Sequence, residues 1–221
     1  MPNTENRSGD GRQVVALRGS FGLRVLSLPP ASCRLGLWLA VFAWTMMAAA
    51  ATKGDARVTM TFTVTTNYYL VQGNTFPEMM SAVEQARPWK TNHNQFDGWT
   101  EWRISWNFHH AGANGEVRLT DVKVTTVAKI TVPKLKPSTD ADPEALHHWG
   151  TFSEGLLRHE LGHVRIAREA TDAVKHQFEN TGRYATPREL SAAVETANDG
   201  ILKQFKQKET DYDWKTNHGR N

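Results

Sequence analysis

Cysteine is almost missing from this chain. Cys33 is the only one among 221 residues, and it precedes the one long apolar run. A lipid-anchored cysteine would follow such a run, so a lipoprotein is not expected. Everything downstream is without disulfide or thiolate chemistry, and a zinc site there has only His, Asp and Glu to draw on. Net charge is missing too. The 26 basic and 23 acidic residues include five arginines and two acids (Glu5, Asp10) within residues 1–51, which leaves 21 of each sign in the remainder. A charge-balanced remainder offers no basic stripe for phosphates, so no nucleic-acid partner is expected. No internal repeat is apparent after the leader. The one apolar run, Leu35–Met47, is too short for a comfortable membrane span of about 20 residues unless the alanines after it are counted.

That run defines a leader. Arg34 precedes it and Ala48-Ala49-Ala50-Ala51 follows, the small residues a signal peptidase needs. Residues 1–51 are therefore expected to be a leader with a secretory signal peptide, and residues 52–221 a single domain, secreted or periplasmic. An uncleaved anchor is the alternative. In the main reading the membrane is met only transiently, through the signal segment.

Val58–Thr66 alternates strictly, with Val58, Met60, Phe62 and Val64 on one side and threonines on the other, which is a half-buried strand. Tyr68–Val71 reads as a second strand after a bend at Asn67. Thr75-Phe76-Pro77-Glu78 has the form of a capping box with proline in the first turn, and the helix it opens should bury Met79, Met80 and Val83. Trp99–His109 alternates again, with Trp102, Ile104, Trp106 and Phe108 on one face. Asn114-Gly115 is a strong hairpin signal. The returning strand, Glu116 to about Val132, changes apolar phase near Asp121, which predicts a bulge there, and Pro133 should end it. Asp142-Pro143 opens a helix that Gly182 closes, as one long helix or two with a break near Gly150. Thr186-Pro187-Arg188-Glu189 opens another.

The chemistry is concentrated in His159-Glu160-Leu161-Gly162-His163. Histidines four apart share a helix face, with Cβ atoms about 5–6 Å apart, so both can reach one Zn²⁺. Glu160 is not needed as a ligand; it is placed to take a proton from a zinc-bound water. Trp149, Phe152, Leu156, His159, His163, Ala167, Ala170, Val174 and Phe178 step by three or four, forming one core-facing stripe. A core stripe has no reason to carry two histidines unless something satisfies them, and a metal does so. His109-His110 and His147-His148 are adjacent pairs that diverge on either a strand or a helix, and are not expected to chelate.

These elements resemble a bacterial family of predicted secreted zinc-dependent proteases that is classed as a domain of unknown function. The resemblance is carried by Tyr69-Leu70-Val71-Gln72-Gly73, the Trp99–Trp106 strand, Trp149 and Phe152 ahead of His159–Val164, and the closing Tyr212-Asp213-x-x-Thr216-x-His218-Gly219. It implies a zinc-dependent metallopeptidase acting on a protein or peptide substrate.

A catalytic zinc usually takes three protein ligands and keeps one position open. No third histidine follows His163 at the extended-motif spacing, so the third ligand must come from another segment. Glu195, Asp211, Asp213 and His218 are candidates, and His218 is favoured because a tail histidine can fold back over the motif helix. Tyr212 is a candidate hydrogen-bond donor to the tetrahedral oxyanion. The expected fold is α+β: a small, mainly antiparallel sheet followed by a helical half carrying the zinc-binding helix, in one zincin-like domain. A secreted zinc-stabilised binding or structural protein and a zinc amidase acting on cell-wall peptides remain alternatives.

Overall fold

The computed structural model describes residues 8–18, 56–89, 96–136 and 138–219, with the backbone alone for 8–18. The apolar run and its alanines, on which the signal-peptide expectation rests, lie outside the described residues. Among the described residues no helix is long and apolar enough to cross a membrane.

The order of elements is β1 (Ser8–Arg18), β2 (Arg57–Val71), α1 (Phe76–Ala86), β3 (Trp99–Ala113), β4 (Glu116–Leu135), α2 (Pro143–Glu179), α3 (Pro187–Lys215) and a terminal 3-10 turn at Asn217–Gly219. Strands β2, β3 and β4 form the small mixed sheet of an α+β domain, and β1 adds a fourth strand on the outer edge of β3, giving the order β1-β3-β4-β2. The β1/β3 and β3/β4 pairs are antiparallel and β4/β2 is parallel. β1 falls inside the expected leader of residues 1–51.

The β3–β4 hairpin turns at Asn114 and Gly115, both with positive φ (55° and 79°), the backbone that an Asn-Gly pair adopts most readily. The phase change in β4 is a bulge: His109 pairs with Asp121 and His110 with Leu119, so Thr120 has no partner. It returns the apolar side chains to the core face. Trp102, Ile104, Trp106 and Phe108 of β3 lie there with Val122, Val124 and Ile130 of β4, covered by Leu156, Ala167, Ala170, Val174 and Phe178 of α2. Burial of each large side chain contributes about 1.5–3 kcal/mol, enough for this layer to fix how α2 lies on the sheet.

Three expectations need correction. The bend at Asn67 is absent, because β2 pairs with β4 in unbroken parallel register from Arg57↔Asp121 to Val71↔Leu135. Pro133 lies inside β4 rather than ending it; it stands past the last β3 partner, Trp99↔Thr131, where β2 alone still pairs. Of the two readings of α2, the single helix is the one observed, 37 residues with no break at Gly150. The tail is not a fold-back loop: α3 continues to Lys215, and only Thr216–Gly219 leaves the helix. The capping box of α1 is present as expected, with Glu78 also bonding the Thr75 N–H at 3.2 Å.

Candidate metal centre

α2 and α3 run antiparallel, and each presents an i,i+4 pair to the other. On α2 the pair is His159 and His163; on α3 it is Glu209 and Asp213. All four side chains are buried. The two Nε2 atoms stand 3.2 Å apart, and Asp213 Oδ1 lies 3.3 Å from His159 Nε2 and 3.0 Å from His163 Nε2. These three residues form the one converging His/Cys/Asp/Glu group among the described residues.

The outer nitrogens decide what the inner ones can do. Thr216, the C-cap of α3, donates its hydroxyl hydrogen to the Tyr212 carbonyl at 2.7 Å. Its oxygen, 2.9 Å from His159 Nδ1, must therefore accept from an Nδ1–H. His163 Nδ1 donates to Glu209 Oε2 at 2.6 Å. In both neutral imidazoles the proton then sits on Nδ1, and the Nε2 lone pairs point inward with a carboxylate oxygen. Two lone pairs and an anionic oxygen about 3 Å apart repel unless a cation joins them. In the metal-free protein a proton takes that role. Burial disfavours the His163 imidazolium, but hydrogen bonds to Asp213 and Glu209 outweigh it and hold the pKa up at about 10. Burial likewise raises the Asp213 carboxyl, yet hydrogen bonds from His159 and His163 dominate and hold it well below the usual carboxylate range. A tetrahedral zinc with bonds of about 2.0–2.1 Å needs ligand atoms about 3.3–3.4 Å apart. The observed spacings of 3.2, 3.3 and 3.0 Å fit that demand.

Glu160 follows His159 on α2 and is 3% exposed. Its carboxylate accepts from Thr100 Oγ1 of β3 at 2.6 Å. Burial pushes its pKa up, against the Thr100 hydrogen bond and the two histidines. Gly98 permits this position, since a Cβ there would meet Glu160 Oε1 at 2.5 Å. The segment around Gly98 is pinned: Tyr69 Oη donates to the Asp97 carbonyl at 2.6 Å, Trp89 Nε1 to the Phe96 carbonyl at 2.9 Å, and Arg87 pairs with Asp97 at 3.6 Å. Glu160, the three converging residues and His218 line one cavity, walled by Phe96, Gly98, Trp99 and Thr100. It leaves about 10 Å³ for the centre of a water molecule, room for about one.

His159, Glu160 and His163 are thus brought together as the motif implies. The third partner in the converging group is Asp213, not the favoured His218. His218 lies beside the group, its Nδ1 3.7 Å from Asp213 Oδ1. Glu195 and Asp211 are exposed on α3 and stand apart. Tyr212 also departs from its expected role. Its ring stacks on His159 at 5.1 Å with 13° between planes. Its hydroxyl donates to the His159 carbonyl at 3.2 Å, so it is turned to the helix backbone rather than toward an oxyanion. Gly162 makes room for it, because a Cβ there would fall 2.0 Å from the Tyr212 oxygen.

Sequence reasoning missed Glu209 and Thr100. Glu209 joins His163 to Trp102, whose Nε1 donates to Oε1 at 3.2 Å. The available signal was the four-residue spacing of Glu209 and Asp213, which acquires meaning only if the tail is helical. Nothing in its strand distinguishes Thr100 from the neighbouring polar residues.

Residues 66–219 match the family described as "Bacterial protein of unknown function (DUF922)", and the chain belongs to that family. The match includes every residue of the centre described above. No curated protein and no solved structure matches the chain.

Proposed function

We propose that this member of the bacterial family of unknown function is a zinc-dependent metallopeptidase, secreted or periplasmic, and that zinc-dependent proteolysis is the family's trade. One observation carries the reading: two inward-facing Nε2 lone pairs and a carboxylate oxygen converge at zinc spacing in a cavity that also holds a buried glutamate. His159, His163 and Asp213 would hold the metal. Zinc suits a site of two imidazoles and one carboxylate, and three protein ligands are the number a catalytic site uses. When bound, zinc would supply Lewis acidity and lower the pKa of water.

The chain's own residues do the rest. Glu160 is the proton acceptor: its carboxylate is desolvated, its pKa is raised toward the working range, and Thr100 fixes its orientation. Glu209 and Thr216 keep both Nδ1 protons in place and so keep Nε2 available. The leader supports export, since the apolar run ends in four alanines.

Metal analysis of the mature chain, with hydrolysis of labelled casein by wild type and Glu160→Gln, tests this reading. About one zinc per chain is expected, with zinc retained and hydrolysis reduced by about 10²–10⁴-fold in the variant. Equal turnover by both proteins refutes Glu160 as the base. The narrow cavity favours one rival, a zinc-stabilised binding or structural protein. Stoichiometric zinc with no hydrolysis of protein or cell-wall peptides would establish it.

A further inference from the structure

Three successive residues after α3 adopt left-handed backbone: Asn217 (φ 47°), His218 (φ 54°) and Gly219 (φ 77°). Only the last is glycine. Left-handed residues occur singly in most proteins, because the Cβ of an L-residue crowds the following carbonyl. A run of three persists only where its surroundings impose it. Here Gly219 presses against His159, where a Cβ would meet the His159 Cβ at 2.9 Å, and its N–H donates to the Thr216 carbonyl at 2.9 Å. The result is that the His218 ring is delivered to the cavity shared by Glu160 and the converging group.

The ring is held from outside by Phe96, with centroids 4.9 Å apart and 53° between planes. Any aromatic ring could make that contact. What phenylalanine could not supply is Nδ1, which is shielded from solvent and has no hydrogen-bond partner. Asp213 Oδ1 stands 3.7 Å away, too far for a hydrogen bond. A buried polar atom without a partner, delivered by strained backbone into a reaction cavity, is poised for a partner that arrives with the substrate.

We infer that His218 is a further catalytic residue, donating a hydrogen bond from Nδ1 to the carbonyl oxygen of the bond being cleaved. This rests on the peptidase reading. As the oxygen of water bonds to the carbonyl carbon, the C=O π pair moves onto the carbonyl oxygen and Glu160 takes the proton of water. The Nδ1–H of His218 stabilises that developing charge and transfers no proton. Nδ1 carries hydrogen in the imidazolium and in one neutral tautomer, so donation does not depend on a change of protonation. The role assigned to Tyr212 from the sequence thereby passes to a residue whose donor is not already engaged.

The test uses the zinc-loaded mature chain and labelled casein as probe, with zinc affinity measured by chelator competition. His218→Phe keeps the ring against Phe96 and removes the donor; His218→Asn keeps a donor. For His218→Phe, kcat should fall by about 10²–10³-fold, with KM, melting temperature and zinc affinity close to wild type. His218→Asn should recover part of the loss. An unchanged kcat in His218→Phe overturns the inference. A zinc affinity weakened more than tenfold in both variants also overturns it, by making His218 a ligand. If wild type and Glu160→Gln both leave casein intact, the peptidase reading itself fails and the inference falls with it. Loss in Glu160→Gln but not in His218→Phe sinks the inference alone.

Discussion

Glu209→Gln changes no volume and removes one charge, yet it should weaken the centre through a shortage of acceptors. Both carboxylate oxygens of Glu209 accept: Oε2 from His163 Nδ1 at 2.6 Å and Oε1 from Trp102 Nε1 at 3.2 Å. A glutamine offers one oxygen and one NH₂ group, so it can satisfy only one of these two donors. If its oxygen turns to Trp102, its NH₂ faces His163. The imidazole must then move its proton to Nε2, where it blocks the lone pair that a metal needs. If its oxygen turns to His163, the indole N–H is left buried and unpaired, at a cost of about 1–3 kcal/mol. Either way the loss is paid in metal affinity or in stability. Partner groups behind a ligating histidine typically account for about 10–100-fold in metal affinity. An unpaired indole should lower the melting temperature by about 2–12 °C in a domain of this size. Chelator competition and thermal melts of the metal-free protein measure the two directly. The double variant Trp102→Phe/Glu209→Gln isolates the cause. Without the indole donor, the glutamine oxygen is free for His163, and zinc affinity should recover relative to Glu209→Gln alone. A Glu209→Gln protein with wild-type zinc affinity and melting temperature refutes the acceptor argument. So does a double variant no better than the single one.

Gly162→Ala places a Cβ about where the Tyr212 oxygen now lies, 2.0 Å away, so the ring must leave His159; zinc affinity and melting temperature should both fall, and a wild-type melting curve would rule out the close packing. The pH dependence has a definite sign. His163 has its pKa raised from 6.5 to about 10 in the metal-free protein, so its contribution is complete below 6.5 and is lost as pH rises toward 10. Glu160, raised by burial, acts in the same direction, whereas Asp213, lowered from 3.8, loses its contribution only in acid. Urea midpoints of the metal-free protein should therefore be higher at pH 6 than at pH 9, and the reverse order would contradict the assigned network. Because metal must displace the His163 proton, zinc affinity should climb by about tenfold per pH unit between pH 6 and 7, and a flat profile there would mean that no proton is displaced. N-terminal sequencing of exported protein should find a start near Ala50 or Ala51; a chain still beginning before Leu35 would show that the leader is retained.

The parts of this fold that were legible in sequence are those written in local periodicity. The alternation of Trp102, Ile104, Trp106 and Phe108, the Asn114-Gly115 turn and the phase slip near Asp121 each have a cause within a few residues. So has the pairing of His159 with His163, since four-residue spacing settles which face they share. The parallel partner of β2 was not legible, because no short-range pattern distinguishes a parallel neighbour from an antiparallel one. Which of the candidates Glu195, Asp211, Asp213 and His218 converges with the histidines was not legible for a related reason. His218 was favoured because a tail histidine can fold back over the motif helix, whereas α3 continues to Lys215 and sets Asp213 one turn from Glu209. Thr100 and Glu209 owe their roles to which element packs beside which. That is a property of the layer formed by β3, α2 and α3, not of any window of sequence.

The centre is closed by the end of α3 and the turn that follows it. Asp213, Thr216 and Gly219 all touch His159. Synthesis runs from the other end, and the strands and α2 are complete before any of these residues has been added. A nascent or prematurely terminated chain therefore holds the two histidines without Glu209 and Thr216, which set their protons. The chemistry proposed for this centre must therefore wait until Gly219 has been added, so a product truncated within α3 is expected to be silent.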